Sequence, residues 1–158
     1  MALPPPWMIR LTLALGAVAF VAGRARENLA LHRPITASSA RFGRVTDLVN
    51  GVVEWGNYAL HTQHDRGAWV LIDLQATRRV DEVRVFGRGD GFLGEAGTPI
   101  TVLLSLDGQA FAPAGKCDVL TTQASPCHVR APGTPARYVR LEHPDCMVLS
   151  EVEVYGSR

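Results

Sequence analysis

The sequence lacks a cluster of basic residues. Lys116 is its only lysine, and the formal net charge is +1. Proteins that bind nucleic acid usually carry a positively charged face for the phosphates, so nucleic acid is not expected as a partner. The other basic side chains are arginines, whose planar guanidinium donates hydrogen bonds to polar ligands in fixed directions.

Motifs for catalysis are also missing. The sequence has no glycine-rich phosphate loop and no nucleophile elbow. His61 and His64 are separated by two residues and precede Asp65, but a zinc site needs a third ligand. A dyad of Cys146 and His143 is the other alternative, and no nucleophile motif surrounds it. We therefore expect a protein that is not an enzyme.

Long amphipathic helical patterns are absent after the N-terminal segment, and apolar residues alternate with polar ones instead. The segment "GAWVLIDL" is apolar on both faces, which predicts a central strand. "TPITVLLSLDGQAF" places Ile100, Val102, Leu104 and Leu106 on one side and then reaches Asp107-Gly108, a hairpin signal. "RVDEVRVFG", "ARYVRLEH" and "LSEVEVYG" alternate in the same way. Short strands between turn residues predict an all-β sandwich.

Residues 1–25 are predicted to be a signal peptide or an N-terminal anchor. Arg10 precedes an apolar run from Leu11 to Gly23, shorter than the roughly 20 residues that a membrane span needs. Cleavage after Gly23 or Ala25 would fit a secretory signal; an uncleaved anchor is the alternative. The mature chain is expected to be secreted.

The sequence has three cysteines. In an oxidising compartment, one disulfide and one free thiol is the simplest arrangement. Cys117 and Cys127 flank the turn-rich segment "DVLTTQASP", which favours a bridge between them and leaves Cys146 free and buried or half-buried.

Three segments resemble the discoidin domain, the coagulation-factor C-type module: "ENLALHRPITASS", "GAWVLIDLQATRRVDEVRVFGR", and "ARYVRLEH" with "LSEVEVYG". The resemblance covers residues 27–156 and implies a jelly-roll β-sandwich of about eight strands that binds ligands through the loops at one end. The fucolectin-like F-type lectins are the most similar branch. Their second disulfide has no counterpart here, since Ala59 and Ser150 hold its places, whereas the first resembles Cys117–Cys127.

The sugar motif of that branch is a histidine, 26 residues, Arg-x-Asp, four residues and a basic residue, and His61 and Arg88 stand at this spacing. The resemblance thus implies a carbohydrate site of His61, Arg88 and Asp90. Phe92, or less favourably Tyr58, would form its apolar wall. Glu95 replaces the final basic residue, so fucose in its usual pose is in doubt. The alternative is a surface Arg–Asp pair with a structural histidine.

The same lectins hold a structural calcium ion, which takes six to eight oxygen ligands. The corresponding candidates are Asp47 and Asn50 in "DLVNG", with Glu151 and the Ser150 carbonyl. The alternative is an Asx turn at Asn50-Gly51 and an exposed glutamate.

Two other binding functions stay open. Arg88-Gly89-Asp90 is an adhesion tripeptide, if it lies at an exposed tip. Phospholipid binding would need exposed apolar residues at loop tips, and Phe42, Trp55 and Phe92 are the candidates. Assembly into a homo-oligomer would add avidity to a lectin of this size.

Overall fold

The structure is a computed structural model that describes residues 26–53, 58–64, 66–88, 98–118 and 125–157. The described chain is almost entirely β-structure, with one 3-10 helix at Val45–Val49. The nine strands are β1 Glu27–Asn28, β2 Ile35–Ala37, β3 Phe42–Gly43, β4 Leu60–His61, β5 Ala68–Gly87, β6 Ile100–Ser105, β7 Ala112–Cys117, β8 Cys127–His143 and β9 Val148–Ser157. All described pairings are antiparallel, in the order β3-β4-β9-β5-β8-β6-β7, with β1 on β9 and β2 on β5. The predicted all-β class is confirmed.

Strand β5 is central, as its two apolar faces predicted. Its first half pairs with β2 on one side and with β8 on the other. Val70, Ile72 and Leu74 are fully buried on the core face. The intervening side chains Trp69, Leu71 and Asp73 are half-buried rather than exposed, which agrees with the weak alternation in the sequence.

A bend divides β5 between Asp73 and Arg78, where the register with β8 shifts. Gln75 has a φ of 64° at this bend, and Arg137 donates two hydrogen bonds of 2.9 Å to the Asp73 carboxylate. Beyond the bend, β5 pairs with β9 instead of β2. Both halves keep β8 as their other neighbour, and both contribute buried residues to one core. The described strands thus form one continuous antiparallel sheet around that core, as a β-sandwich requires.

The β6–β7 hairpin forms at the predicted Asp107-Gly108 turn. The Asp107 carboxylate accepts hydrogen bonds from the amides of Gln109 and Ala110 at 2.8 and 2.9 Å, and Gly108 has a φ of 75°. Leu106, which the sequence pattern places on the same side as Ile100, Val102 and Leu104, does not share their burial: β6 ends at Ser105, and Leu106 is 57% exposed. The turn interrupts the alternation one residue earlier than the apolar pattern suggests.

The disulfide between Cys117 and Cys127 is present, with a Cα–Cα distance of 5.8 Å. It joins the end of β7 to the start of β8. Cys146 is a free, buried cysteine, as expected. His143 does not pair with it among the described residues, since its Nδ1 accepts the backbone N–H of Asp145 at 3.0 Å and its buried Nε2 has no hydrogen-bond partner there. Within the described ranges, no helix is long and apolar enough to span a membrane.

Candidate carbohydrate-binding site

Strand β9 brings His61 and Arg88 together. Leu149 of β9 pairs with Leu60 on one side and with Gly87 on the other. His61 and Arg88 each follow one of these partners directly in the sequence. Neighbouring strands lie about 4.8 Å apart. His61 and Arg88 therefore lie at the same end of the sheet, separated by two strand spacings.

Aromatic rings surround His61. The Tyr58 ring lies edge-on to it at a centroid distance of 5.6 Å, and the Phe42 ring lies at 5.7 Å. The Arg88 guanidinium lies 5.5 Å from the Tyr58 ring centre, and that of Arg41 lies 5.2 Å from the Phe42 ring centre. The site therefore combines planar donors, an imidazole and apolar ring surface. These are the groups that a sugar with hydroxyls and C–H faces requires.

Burial, together with the positive charges of Arg41, His64 and Arg88, lowers the pKa of His61. The ring is consequently neutral at physiological pH, with one donor and one acceptor nitrogen. A neutral imidazole can bond to a sugar hydroxyl in either direction, whereas an imidazolium can only donate.

Phe42 owes its position to Gly43. Phe42 pairs with His61 in the β3–β4 ladder. Gly43 has a φ of 77°, and a Cβ there would overlap the carbonyl of Ala59. Only glycine therefore lets β3 approach β4 closely enough to place the Phe42 ring beside His61.

Gly43→Ala is expected to lower the free energy of unfolding by about 2 kcal/mol or more and to weaken ligand binding. The left-handed φ costs an alanine about 1 kcal/mol, and the overlap with the Ala59 carbonyl adds to it. Gly67→Ala is the matched control, because Gly67 has a φ of 87° but no atom within 4 Å of an added Cβ. Denaturant unfolding of both variants measures the difference. Equal losses would show that the contact with Ala59 does not position β3.

The candidate calcium residues differ in burial and in hydrogen bonding. Glu151 is fully buried and accepts the amide of Gly51 at 3.1 Å, so the alternative of an exposed glutamate is wrong. Its Oε2 atom has no hydrogen-bond partner among the described residues. Burial raises the pKa of Glu151 to about 8, against the opposing effect of the Gly51 and Asn50 amides.

The other two side chains of this set make local bonds. The Asn50 side chain accepts the amide of Val52 at 2.7 Å, which is the Asx turn that the sequence left open. Asp47 pairs with Arg44 at 3.2 Å. Ser150 is fully buried next to Glu151 in β9. A divalent cation would satisfy the uncovered Glu151 oxygen, so this carboxylate fits a calcium ligand. Asp47 bonds Arg44 through Oδ1.

Part of the predicted sugar site lies outside the described residues: Asp90, Phe92 and Glu95. The sequence interpretation missed Arg41, and it named Phe42 only for lipid binding. No periodicity could reveal them, because β3 is two residues long and its pairing with β4 is known only from the fold.

Residues 34–150 match the F5/8 type C domain. The chain belongs to this family. No curated protein sequence matches the chain. Among solved structures, this F5/8 type C domain is similar to the lectin domain of lectinolysin in complex with the Lewis B antigen. The two chains are 27% identical with a TM-score of 0.68, and the match covers 84% of this chain and 98% of that one.

Two further structures share the fold. A fucose binding module of Streptococcus pneumoniae is 23% identical with a TM-score of 0.71, and the match covers 85% of this chain and 98% of that one. A fucolectin from the serum of striped bass, Morone saxatilis, is 20% identical with a TM-score of 0.75, over 85% of this chain and 50% of that one. The neighbours are thus lectins and carbohydrate-binding modules.

Proposed function

We propose that this F5/8 type C domain is a secreted, non-enzymatic module that binds glycans through His61 and Arg88. The convergence of these two residues from separate strands onto the aromatic rings of Tyr58 and Phe42 is the observation that carries the proposal. Arg88 donates a fork of hydrogen bonds to adjacent hydroxyls, neutral His61 bonds a third, and a ring covers the apolar face of the sugar. The similarity to a lectin domain that binds the Lewis B antigen supports this chemistry.

A glycan array probed with the mature chain tests the proposal. We expect binding to a defined subset of glycans and no binding to phosphatidylserine vesicles assayed in parallel. The same preparation, sequenced from its N-terminus after export, shows whether the leader has been removed. Binding to vesicles without any glycan signal would contradict the proposal.

Phospholipid binding is the second candidate, because Phe42 is 49% exposed. Its ring, however, contacts His61 and lies under the Arg41 guanidinium. Phe42 therefore forms one wall of the polar site. To insert into a bilayer, its ring would have to give up the contacts with His61 and Arg41. Trp55 and Phe92, the other lipid candidates, lie outside the described residues, as does most of the Arg88-Gly89-Asp90 adhesion tripeptide.

Glu95→Arg is expected to strengthen fucose binding roughly tenfold. The substitution restores the basic residue of the lectin motif, and one charge-assisted hydrogen bond to a hydroxyl contributes about 1.5 kcal/mol. Isothermal titration with fucose measures the change, and Glu95→Gln separates the gain of a cation from the loss of the carboxylate. No gain in the arginine variant would mean that this segment does not contact the sugar as the motif implies.

We also propose that the domain binds calcium next to the sugar site, with Glu151 as the central ligand. Asn50, the Ser150 carbonyl and Asp47 are the further oxygen donors that this proposal requires. The buried, uncovered Glu151 oxygen supports it. The ion would neutralise the carboxylate and hold the 3-10 helix Val45–Val49 against β9.

A further inference from the structure

His61, His64 and Cys146 form a cluster of metal-ligand side chains. One ligand atom from each, a ring nitrogen or the sulfur, lies within 4.8 Å of the others. Cys146 is fully buried and outside the disulfide. In the sequence, the two histidines have no third metal ligand nearby. The fold brings Cys146, which lies 82 residues after His64, next to them.

The backbone holds the two parts of the cluster side by side. Thr62 donates its N–H to the Met147 carbonyl at 3.0 Å, and the Met147 N–H donates to the Thr62 hydroxyl at 2.9 Å. Thr62 follows His61 and Met147 follows Cys146 directly. These two buried bonds therefore set the separation between the imidazole and the thiol.

The hydrogen bonding of both rings leaves a nitrogen available. His61 Nε2 is buried and has no hydrogen-bond partner within the described part of the chain, which is a costly state for a polar atom. His64 Nδ1 lies 3.0 Å from the Asp145 carboxylate. In the neutral ring that a metal requires, this contact favours the tautomer with the proton on Nδ1 and leaves Nε2 as the ligand atom. Carboxylates orient metal-binding histidines in this way in many metal sites.

The donor set selects the class of metal. Two imidazoles and a thiolate suit zinc and related transition metals, whereas calcium requires oxygen ligands. In a tetrahedral zinc site, bonds of about 2.0 Å to nitrogen and 2.3 Å to sulfur put the ligands roughly 3.5 Å apart. The His64 side chain is 58% exposed, so a small rotation of its ring can close the cluster around an ion.

Charges of both signs surround the cluster. Arg41 lies near both His61 and Cys146, and Arg88 adds positive charge at His61. Asp145 and the thiolate supply two negative charges against them. When the metal binds, the Cys146 thiol releases its proton to solvent. The divalent ion brings two positive charges and the proton removes one, so the net charge of the site rises by one.

We propose that His61, His64 and Cys146 bind a zinc-class divalent transition metal, with Asp145 as the positioning residue for His64. The fourth coordination position is left to water. Insofar as His61 also binds glycan, as proposed above, the metal and the glycan compete for its ring, and the metal acts as an inhibitor of the lectin site.

Titration of the metal-stripped chain with cobalt(II) tests the metal site without reference to glycans. We expect one equivalent of cobalt to give a thiolate-to-cobalt charge-transfer band in the near ultraviolet, and one equivalent of zinc to displace it. Cys146→Ser should lose the band. Because Cys146 is buried, His64→Gln serves as a second variant at an exposed position and should weaken binding at least tenfold.

Asp145→Asn and His32→Asn complete the set. Asp145→Asn should weaken cobalt affinity about 10- to 100-fold while the charge-transfer band keeps its position, because the three ligands are retained. His32 is exposed and outside the cluster, so His32→Asn should bind cobalt like the unmodified chain. No charge-transfer band in the unmodified chain, or unchanged affinity in His64→Gln, would overturn the metal site.

Competition is read from glycan binding in the presence of zinc. Zinc should reduce glycan binding by the unmodified chain at least tenfold and leave glycan binding by His64→Gln unaffected. Equal inhibition of both proteins would overturn the competition but not the cobalt result. A failed glycan array with a normal cobalt band would reject the proposed function and leave the metal site standing.

Discussion

Alanine at Arg88 is expected to abolish detectable glycan binding, and alanine at His61 is expected to weaken it, while both variants stay folded. His61 is the last residue of β4 and Arg88 follows the end of β5, and neither belongs to the buried apolar core. A hydrogen bond from the charged Arg88 contributes about 1.5–3 kcal/mol, and one to the neutral His61 about 1 kcal/mol. Their removal weakens binding roughly 10- to 150-fold for Arg88 and about fivefold for His61, and the larger loss takes a weak monovalent lectin below detection on an array.

Arg130→Ala and His32→Asn are the matched controls, since both positions are exposed and neither takes part in the described ring contacts of Tyr58 and Phe42. Both controls should keep the full array signal. Thermal melting of the four variants checks that the loss reflects the site rather than the fold. Retained binding in both Arg88→Ala and His61→Ala would place the glycan elsewhere on the molecule.

Most strands could be predicted from the sequence because each long strand buries one face in the core, so that every second residue is apolar. Val83, Val85, Val139 and Leu141 all follow a two-residue period and are all buried. The pattern fails at Leu106, where the Asp107 turn ends β6. The bend at Gln75 was also not predictable, because its non-glycine residue with positive φ carries no sequence signal.

The site was predictable only where a motif spans it. The spacing of His61 and Arg88 is a property of the sequence, and β9 explains it physically by pairing with both neighbouring strands. Phe42 contacts His61 because β3 pairs with β4. Each of these strands has only two residues, which is too short for a periodic pattern in the sequence. Cys146 reaches His61 through a long-range backbone contact, which no local pattern encodes.

Glu151 shows why a sequence-based ligand set is incomplete. Its position in the last strand was correct, but its full burial was not expected from a charged residue next to a serine. Burial changes its chemistry, because a carboxylate without water or a cation is held in the protonated form. Calcium and a proton are therefore alternative partners for the same carboxylate.

We expect the calcium-free domain to lose stability as the pH rises from 5 to 8, and calcium to restore it. Glu151 has a folded pKa of about 8 and an ordinary value of 4.5. Between these values the folded state binds a proton that the unfolded state has lost, so stability is complete below pH 4.5 and falls towards pH 8. The loss amounts to a few kcal/mol, at about 1.4 kcal/mol per unit of pKa difference.

Asp73 and Glu82 do not mask this trend. Hydrogen bonds from Arg137 and from His128 hold the pKa values of Asp73 and Glu82, respectively, below their ordinary range, so their contributions are complete by about pH 5. The lowered pKa of His61 acts in the opposite direction, since its unfolded form binds more protons near pH 6. A single-site variant is therefore needed to isolate Glu151.

Glu151→Gln provides that isolation, because glutamine has nearly the same shape, still accepts the Gly51 amide and does not titrate. In chelator, the variant should be more stable than the unmodified domain at pH 8 and no more stable at pH 4.5. Added calcium should raise the melting temperature of the unmodified domain at pH 8, much less at pH 5, and not that of the variant. Glu142→Gln, at a 43% exposed side chain on β8, should behave like the unmodified domain. An unchanged midpoint with calcium at pH 8 would reject the calcium site, whereas a calcium response that survives in Glu151→Gln would place the ion on other oxygens.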